Sequence, residues 1–377
     1  MSSYTYVGIS TAESWEAAGK EAATRALSFF NGSSPKLMIV MCTEDADYPE
    51  VYRGVRAVCQ TPVMGANTKY LYTQEGFFYQ GAVAVVVCLW DGELVGPIAY
   101  HRDSDVLKVR SEFADKLLGY RDRYDVSIYT LWSGFNYVQN VADDWYNTLG
   151  PEVHIFGGGC REVYLEDKIY SDDGVAVAFV SRDKFGYVLG HGSKPVGRPV
   201  VITRSEGNII YEIDGIRATD VYDRIVEDII KKYEKEASEI DLYFAFGYPT
   251  IDGEYVLQEP VLIDREKGTV VMFLDIPNNS VVRILVGRRA SHFSHSREMV
   301  KEYVQMFKSK PTFNFIINCV GRMDSLIKLG VEKELEVFRQ HLVPHSFFAF
   351  SSIGELGIPK GMPVYNHQKT LIIFGAV

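Results

Sequence analysis

The sequence predicts an α/β protein of two domains, with mixed sheets flanked by helices and built from repeated β-α-β-loop-β units. Three observations predict it. Three stretches follow one pattern: PKLMIVMCT, PVMGANTKY and GAVAVVVCLW in residues 35–90; DVSIYTLWSG, PEVHIFGGGC and GVAVAFVS in residues 125–181; PTFNFIINCVGR, PHSFFAFSSIGE and KTLIIFGAV in residues 311–377. Pro35, Pro62, Pro151, Pro311 and Pro344 open strand-like runs, the position where a missing N–H does no harm. A helical crossover between parallel strands is right-handed, so each unit brings two strand ends, rich in Gly, Ser, Cys and Asn, to one rim of a sheet. Ligands of open α/β sheets bind at such rims.

The elements follow in order. Ser10 with Glu13 reads as a capping box, ahead of an apolar stripe through Trp15, Ala18, Ala22 and Ala26 and a stop at Asn31-Gly32. A second amphipathic helix is expected from Asp103 to Gly119 and a third from Ser294 to Lys308, each leading a copy of the repeat. Between the second and third copies, alternating runs from FGYVLGHG to SVVRILVGR, broken by Gly, Pro and Asn, read as antiparallel additions to the sheets. One helix interrupts them, Thr219 to Glu239, with Glu227→Lys231 and Asp228→Lys232 pairs on its solvent side. It marks the expected boundary between domains 1–218 and 219–377. No Gly/Ser linker separates them, so close packing around a cleft is expected.

A chain of 377 residues with 47% hydrophobic and 23% charged residues has the material for two cores. Its net charge of −10 leaves no basic field for a phosphate backbone, which argues against nucleic acid. The start MSSYTYVGIS has no charged n-region or apolar h-region, and no run approaches a membrane span, so a cytoplasmic protein with no membrane partner is expected. Cys42, Cys59, Cys88, Cys160 and Cys319 are odd in number and lack C-x-x-C spacing, which fits reduced thiols.

The run His191–Tyr222, HGSKPVGRPVVITRSEGNIIYEIDGIRATDVY, resembles the hinge region of FIST proteins. Asn318-Cys319-Val320-Gly321-Arg322, then Ser351-Ser352-Ile353-Gly354-Glu355, then His367-Gln368-Lys369-Thr370 resemble the three signatures of the FIST C domain, in order. Pro62–Thr68 stands where the family carries a strand and a Gly-Ser/Thr-rich turn. The resemblance implies a sensory domain that binds a small molecule and takes part in intracellular signal transduction. Some bacterial members resemble haem-based nitric oxide sensors. The recognisable region begins within the first forty residues and runs to Val377, so the output is expected to pass to a separate signalling chain. The family's His-Asn-x-Thr reads His-Gln-Lys-Thr here, which puts the role of the amide at 368 in question.

Seven residues form the expected ligand site: Asn67, Gly158, Cys319, Arg322, Gly354, Glu355 and His367. Arg322 at a strand-to-helix turn suits a carboxylate, and Glu355 suits an ammonium group, so together they suit a zwitterion such as an amino acid. The alternatives are a salt bridge to a neighbouring acid and a pairing of these two charges with each other. Gly157-Gly158-Gly159 permits either close ligand approach or a tight strand crossing. Cys42 and Cys319 are read as equivalent strand-end positions, nucleophiles if a histidine lies near and buried fillers otherwise. His292 and His295 have a spacing seen in metal sites, though a helix-entry loop explains them more simply. His191 or His367 would be the ligand if haem is bound. An acyl transferase or hydrolase would use Cys319 or Ser352 with His367 as base. Tyr70, Tyr72, Phe77, Phe78 and Tyr79 cluster in one loop, read as an aromatic lid or partner surface, or as a loop folded against its own sheet.

Overall fold

Residues 37–43, LMIVMCT, are apolar almost throughout, and a strand of that kind is stable only when both faces are covered. The computed structural model, which describes residues 4–29, 35–101, 106–134, 137–232, 244–327, 330–359 and 362–377, shows how that covering is achieved. Each repeat forms a sheet whose two central strands are parallel: Leu37–Thr43 with Val63–Thr68, Asp125–Ser133 with His154–Cys160, and Phe313–Cys319 with Phe348–Ser352. The closing strands, Val83–Leu89, Gly174–Ser181 and Leu371–Ala376, lie antiparallel on the first strand of each pair. A lead strand pairs with each closing strand in turn: Tyr4–Ser10, Glu93–Tyr100 and Gly186–Gly190.

The second strand of each pair would leave an unpaired edge, which a sheet protein must protect. Each block receives a hairpin from another. The hairpin Val163–Leu165/Lys168–Tyr170 of block two completes the sheet of block one. The hairpin Glu355–Gly357/Tyr365–His367 of block three completes block two. The hairpin Leu71–Thr73/Gly76–Phe78 of block one completes block three. The exchange is cyclic. The aromatic loop is therefore neither a lid nor folded on its own sheet, since Tyr72 and Phe77 pack on the sheet and helices of block three.

Because side chains alternate along a strand, each sheet has an inner and an outer face. The inner faces share one core, which includes Met41 and Val86 of block one, Tyr129 and Phe156 of block two, and Phe315 and Phe374 of block three. The Phe156 and Phe374 rings stack at 4.0 Å across it. Outer faces are covered by helices: Trp15–Leu27 and Tyr48–Arg56 on block one, Val106–Arg121 and Val138–Leu149 on block two, and Arg289–Gln305, Val320–Ile327 and Glu332–Leu342 on block three.

Several sequence expectations move. Ser10 ends a strand and its hydroxyl bonds Glu21, while Ser14 caps the first helix by accepting from the Ala17 N–H. Asn31-Gly32 and Asp103 lie outside the described residues. The second helix runs past Gly119 to Arg121. The third begins at Arg289, which places His292 and His295 inside a helix rather than in an entry loop. The intervening β-rich runs add one strand, Gly186–Gly190, to block three and otherwise build their own 8-stranded sheet from residues 194–286. The helix Ala218–Lys232 packs on that sheet, and the expected continuation to Glu239 lies outside the described residues. Strands from both sides of residue 218 share three of the four sheets. Among the described residues no helix is long and apolar enough to cross a membrane.

Gly158 faces the inner core, where an added Cβ would stand 2.8 Å from the Cβ of Ser352 and 3.0 Å from the Phe350 ring. It is a close-packing glycine and is not open to a guest. Gly158→Ala is expected to destabilise the chain by about 1–3 kcal/mol through overpacking. A urea denaturation midpoint equal to that of the wild type would contradict this placement.

Candidate functional site

The repeat predicts chemistry at the strand ends, and three backbone hydrogen bonds set the register there. The N–H groups of Thr43, Ser133 and Cys319 donate to the carbonyls of Ala82, Asp173 and Thr370. Cys319 therefore corresponds to Thr43 and Ser133, and its neighbour Asn318 corresponds to Cys42 and Trp132. The expected equivalence of Cys42 with Cys319 is one residue out of step. In a strand that shift reverses the face: Cys42 packs under the helices of block one.

Asn318 and Cys319 accordingly open onto two separate polar clusters. On the helix side, Arg322 is fully buried and its Nη2 lies 2.7 Å from Glu334 Oε1. The guanidinium also donates to Asn318 Oδ1 at 2.7 Å and to Ser296 Oγ at 2.5 Å. Glu334 in turn accepts from Ser296 Oγ and Asn318 Nδ2, and Asn318 Nδ2 donates to Tyr72 Oη of the exchanged hairpin. Arg322 thus forms the salt bridge to a neighbouring acid, and it pins the turn instead of clamping a carboxylate.

On the inner side stands Glu355, also fully buried. Its Oε1 accepts from Ser352 Oγ at 2.5 Å, and its Oε2 accepts from Thr370 Oγ1 at 2.8 Å and from the Thr370 N–H at 3.2 Å. Burial outweighs these bonds and pushes the carboxyl up to about 8. The Cys319 thiol is pushed well above its ordinary range, first by burial and then by the negative charges of Glu355 and Glu259. Glu355 does not meet Arg322, so the paired clamp for a zwitterion is not assembled.

The remaining expected residues are also engaged. Asn67 uses its backbone N–H and its amide on Glu162 of the incoming hairpin, at 2.9–3.2 Å. Gly354 turns at φ +88, and its carbonyl accepts from the Gly159 N–H. His367 is fully buried, and burial lowers its pKa to about 4. Ser352 gives its hydroxyl proton to Glu355 and not to His367. His191 accepts from the Ser193 N–H, and its pKa falls to about 3 through burial and then the neighbouring His295. His295 is lowered to about 4, again chiefly by burial.

What sequence reasoning missed lies one step outward, where the 8-stranded sheet docks on block three. The Gln368 N–H donates to the Leu257 carbonyl, the Glu259 N–H donates to Gln368 Oε1, and Lys369 Nζ sits 3.2 Å from Glu259 Oε1. Gln258 Nε2 donates to the Asn366 carbonyl at 2.8 Å. The departure at 368 thus has a structural role, as a tie to the fourth sheet. Beside these ties is a cavity of about 490 Å³, lined from the fourth sheet by Tyr248, Val256, Gln258 and Leu274, from block two by Gln139, and from block three by Tyr365. Gln258 Oε1 and Tyr248 Oη are buried without a hydrogen-bond partner. The only signal for this place in the sequence was the His367–Thr370 signature, which supplies the ties and not the walls.

The cavity thus lies between the docked sheet and the strand-exchanged body. The chain belongs to the FIST family: the FIST N domain model matches residues 36–216 and the FIST C domain model residues 218–358. FIST domains are ligand-sensing modules of signal transduction. The chain is 27% identical over 268 residues to Uncharacterized protein MJ1623 of Methanocaldococcus jannaschii, a match covering 62% of this chain and 49% of that protein. It therefore spans about half the length of that curated relative. The His367–Thr370 segment lies beyond the matched FIST C region.

Breaking the Arg322–Glu334 pair leaves a desolvated charge, so Glu334→Ala is expected to cost about 3–5 kcal/mol, while Arg322→Met with Glu334→Leu together recovers most of that. Equal losses in the single and double variants, read by urea denaturation, would refute the assignment. Glu355 carries its proton to about 8 when folded, against 4.5 when unfolded. The folded state thus holds more protons, and this group's contribution is lost as pH rises from 4.5 through about 8, at up to roughly 1.4 kcal/mol per pH unit. Glu355→Gln should flatten that part of the stability profile, and an unchanged slope would place its origin elsewhere. The lowered pKa values of His191, His295 and His367 act oppositely, removing stability as pH falls from 6.5 towards 3–4.

Proposed function

We propose that this chain is a small-molecule sensor whose polar ligand sits in the cavity between the fourth sheet and the three-block body, and whose output is the placement of that sheet. One observation carries the reading: the cavity walls come from the fourth sheet, block two and block three together, and unpartnered polar atoms lie in them. A ligand that bonds to Gln258 on one side and packs on Tyr365 on the other contacts both parts at once. It binds one placement of the fourth sheet better than another, and that difference is what makes binding a signal. The receiving partner is a separate signalling chain. The strand-end cluster around Glu355 is not the ligand seat in this reading. It stiffens the segment 366–370 to which the sheet is tied. The expected amino acid loses its motive with the Arg322 clamp, and a polar molecule remains.

The test is to incubate the full chain with a cell metabolite extract, re-isolate it and identify released small molecules by mass spectrometry. The recovered compound should then stabilise the wild type, by about 2.7 kcal/mol at a hundredfold excess over its dissociation constant. Leu274→Trp, which fills the cavity from a half-buried wall position, should neither retain nor respond to it. A compound held equally by the variant would move the site elsewhere.

A further inference from the structure

Resting on the cavity reading above, we infer that the ligand is a small organic cation: an amine carried on an apolar stem. The polar groups of the wall decide this. Gln258 spends its amide N–H on the Asn366 carbonyl, which leaves Oε1, an acceptor, without a partner. Tyr248 adds a buried hydroxyl that is also without a partner, and a hydroxyl oxygen can accept. Asp275 adds a carboxylate to the lining. Ser280 gives its hydroxyl proton to the Pro277 carbonyl at 2.7 Å, and Gln139 gives its amide protons to Asp143 Oδ1 and the Val364 carbonyl. Among the described residues no Lys, Arg or His lines the cavity. A carboxylate or phosphate entering it would meet the like charge of Asp275 with only the Tyr248 hydroxyl and the Asn140 amide to donate, whereas an ammonium group carries three donors and no acceptor.

The apolar part of the wall specifies the rest of the molecule. Val256, Leu274, Pro277 and Met362 offer surface that only a hydrocarbon stem can cover. Tyr248 of the fourth sheet and Tyr365 of block three both line the cavity. A pair of phenol rings attracts a cation through the negative face of each ring. The net charge of −10 favours the approach of a cation over long range. Binding would also remove the cost of leaving Gln258 Oε1 unpaired, which an apolar or anionic guest would not.

Calorimetric titration of the full chain with phenethylamine, phenethyl alcohol and phenylacetate at millimolar concentration tests the proposal. The amine is expected to bind at least about tenfold more tightly than the other two, and Asp275→Asn to weaken it by about tenfold. Alcohol or acid binding as tight as the amine, or no amine binding by the wild type, overturns the cation. If the neutral or acidic probe binds and Leu274→Trp abolishes that binding, the cavity reading survives while this inference falls. Amine binding that persists unchanged in Leu274→Trp overturns both.

Discussion

The cyclic exchange of hairpins is the constraint on which the rest of the structure depends. A block consisting only of its own strands would expose the second parallel strand along its whole length. That edge is closed by strands from a different part of the chain, separated by more than 90 residues for Asn67 and Glu162 and by 283 for Thr68 and Ser351. No block can complete its sheet before the next is present, and the third must wait for the first. The inner core repeats the condition, since its aromatic contacts run between sheets: Tyr129 with Phe315 at 5.4 Å and Trp90 with Phe313 at 5.0 Å. Long-range closure of this kind makes the three blocks one cooperative body, to which the fourth sheet is tied through Gln258, Gln368 and Lys369.

The three blocks are alike in strand order but differ in chemistry, and the difference locates the site. Backbone pairing places Leu71 and Val163 where block three has Glu355, because Tyr70, Glu162 and Gly354 each pair with the corresponding second strand. Leu71 and Val163 lie in the inner core. An acid at that position is buried among apolar neighbours, which explains the direction of its pKa, and it survives there because Ser352 and Thr370 supply three hydrogen bonds. The same Thr370 belongs to the segment that ties the fourth sheet down through Gln368 and Lys369. The block that buries a carboxyl in the inner core is the one that carries the docked sheet and the cavity beside it.

Much of the fold was legible in the sequence because each repeat announces itself by an apolar run, a proline and a small-residue end. The parallel pairing of Phe313–Cys319 with Phe348–Ser352 follows from that pattern. The exchange was not legible. Leu71–Thr73 and Glu355–Gly357 are too short to show which sheet they join, and nothing local distinguishes a hairpin that folds back from one that crosses over. The helix bounds failed where a local motif met a tertiary demand: Ser10-x-x-Glu13 satisfies the capping pattern, yet the chain at Ser10 is still paired with Val83. The misreading of the site has a single cause. Arg322 and Glu355 both follow strand ends of block three, which suggests neighbours, but Asn318 and Cys319 point to opposite faces of one strand and lead to opposite sides of the sheet. The two charges are separated by the sheet itself.

That separation gives the two buried clusters different work. The Arg322–Glu334 cluster sits among helices of block three and touches the exchanged hairpin through Tyr72, so it holds the cyclic body together and has no contact with the cavity wall. The Glu355 cluster lies between the inner core and the tied segment, where any displacement of residues 366–370 disturbs the hydrogen bonds of a buried carboxyl. The unpartnered Gln258 Oε1 and Tyr248 hydroxyl make the empty cavity costly, on the order of 1–3 kcal/mol for each buried group. A guest that satisfies them gains that amount only when the sheet is docked. In the proposed reading, the free energy that couples ligand to sheet placement is the cost of these unsatisfied polar groups.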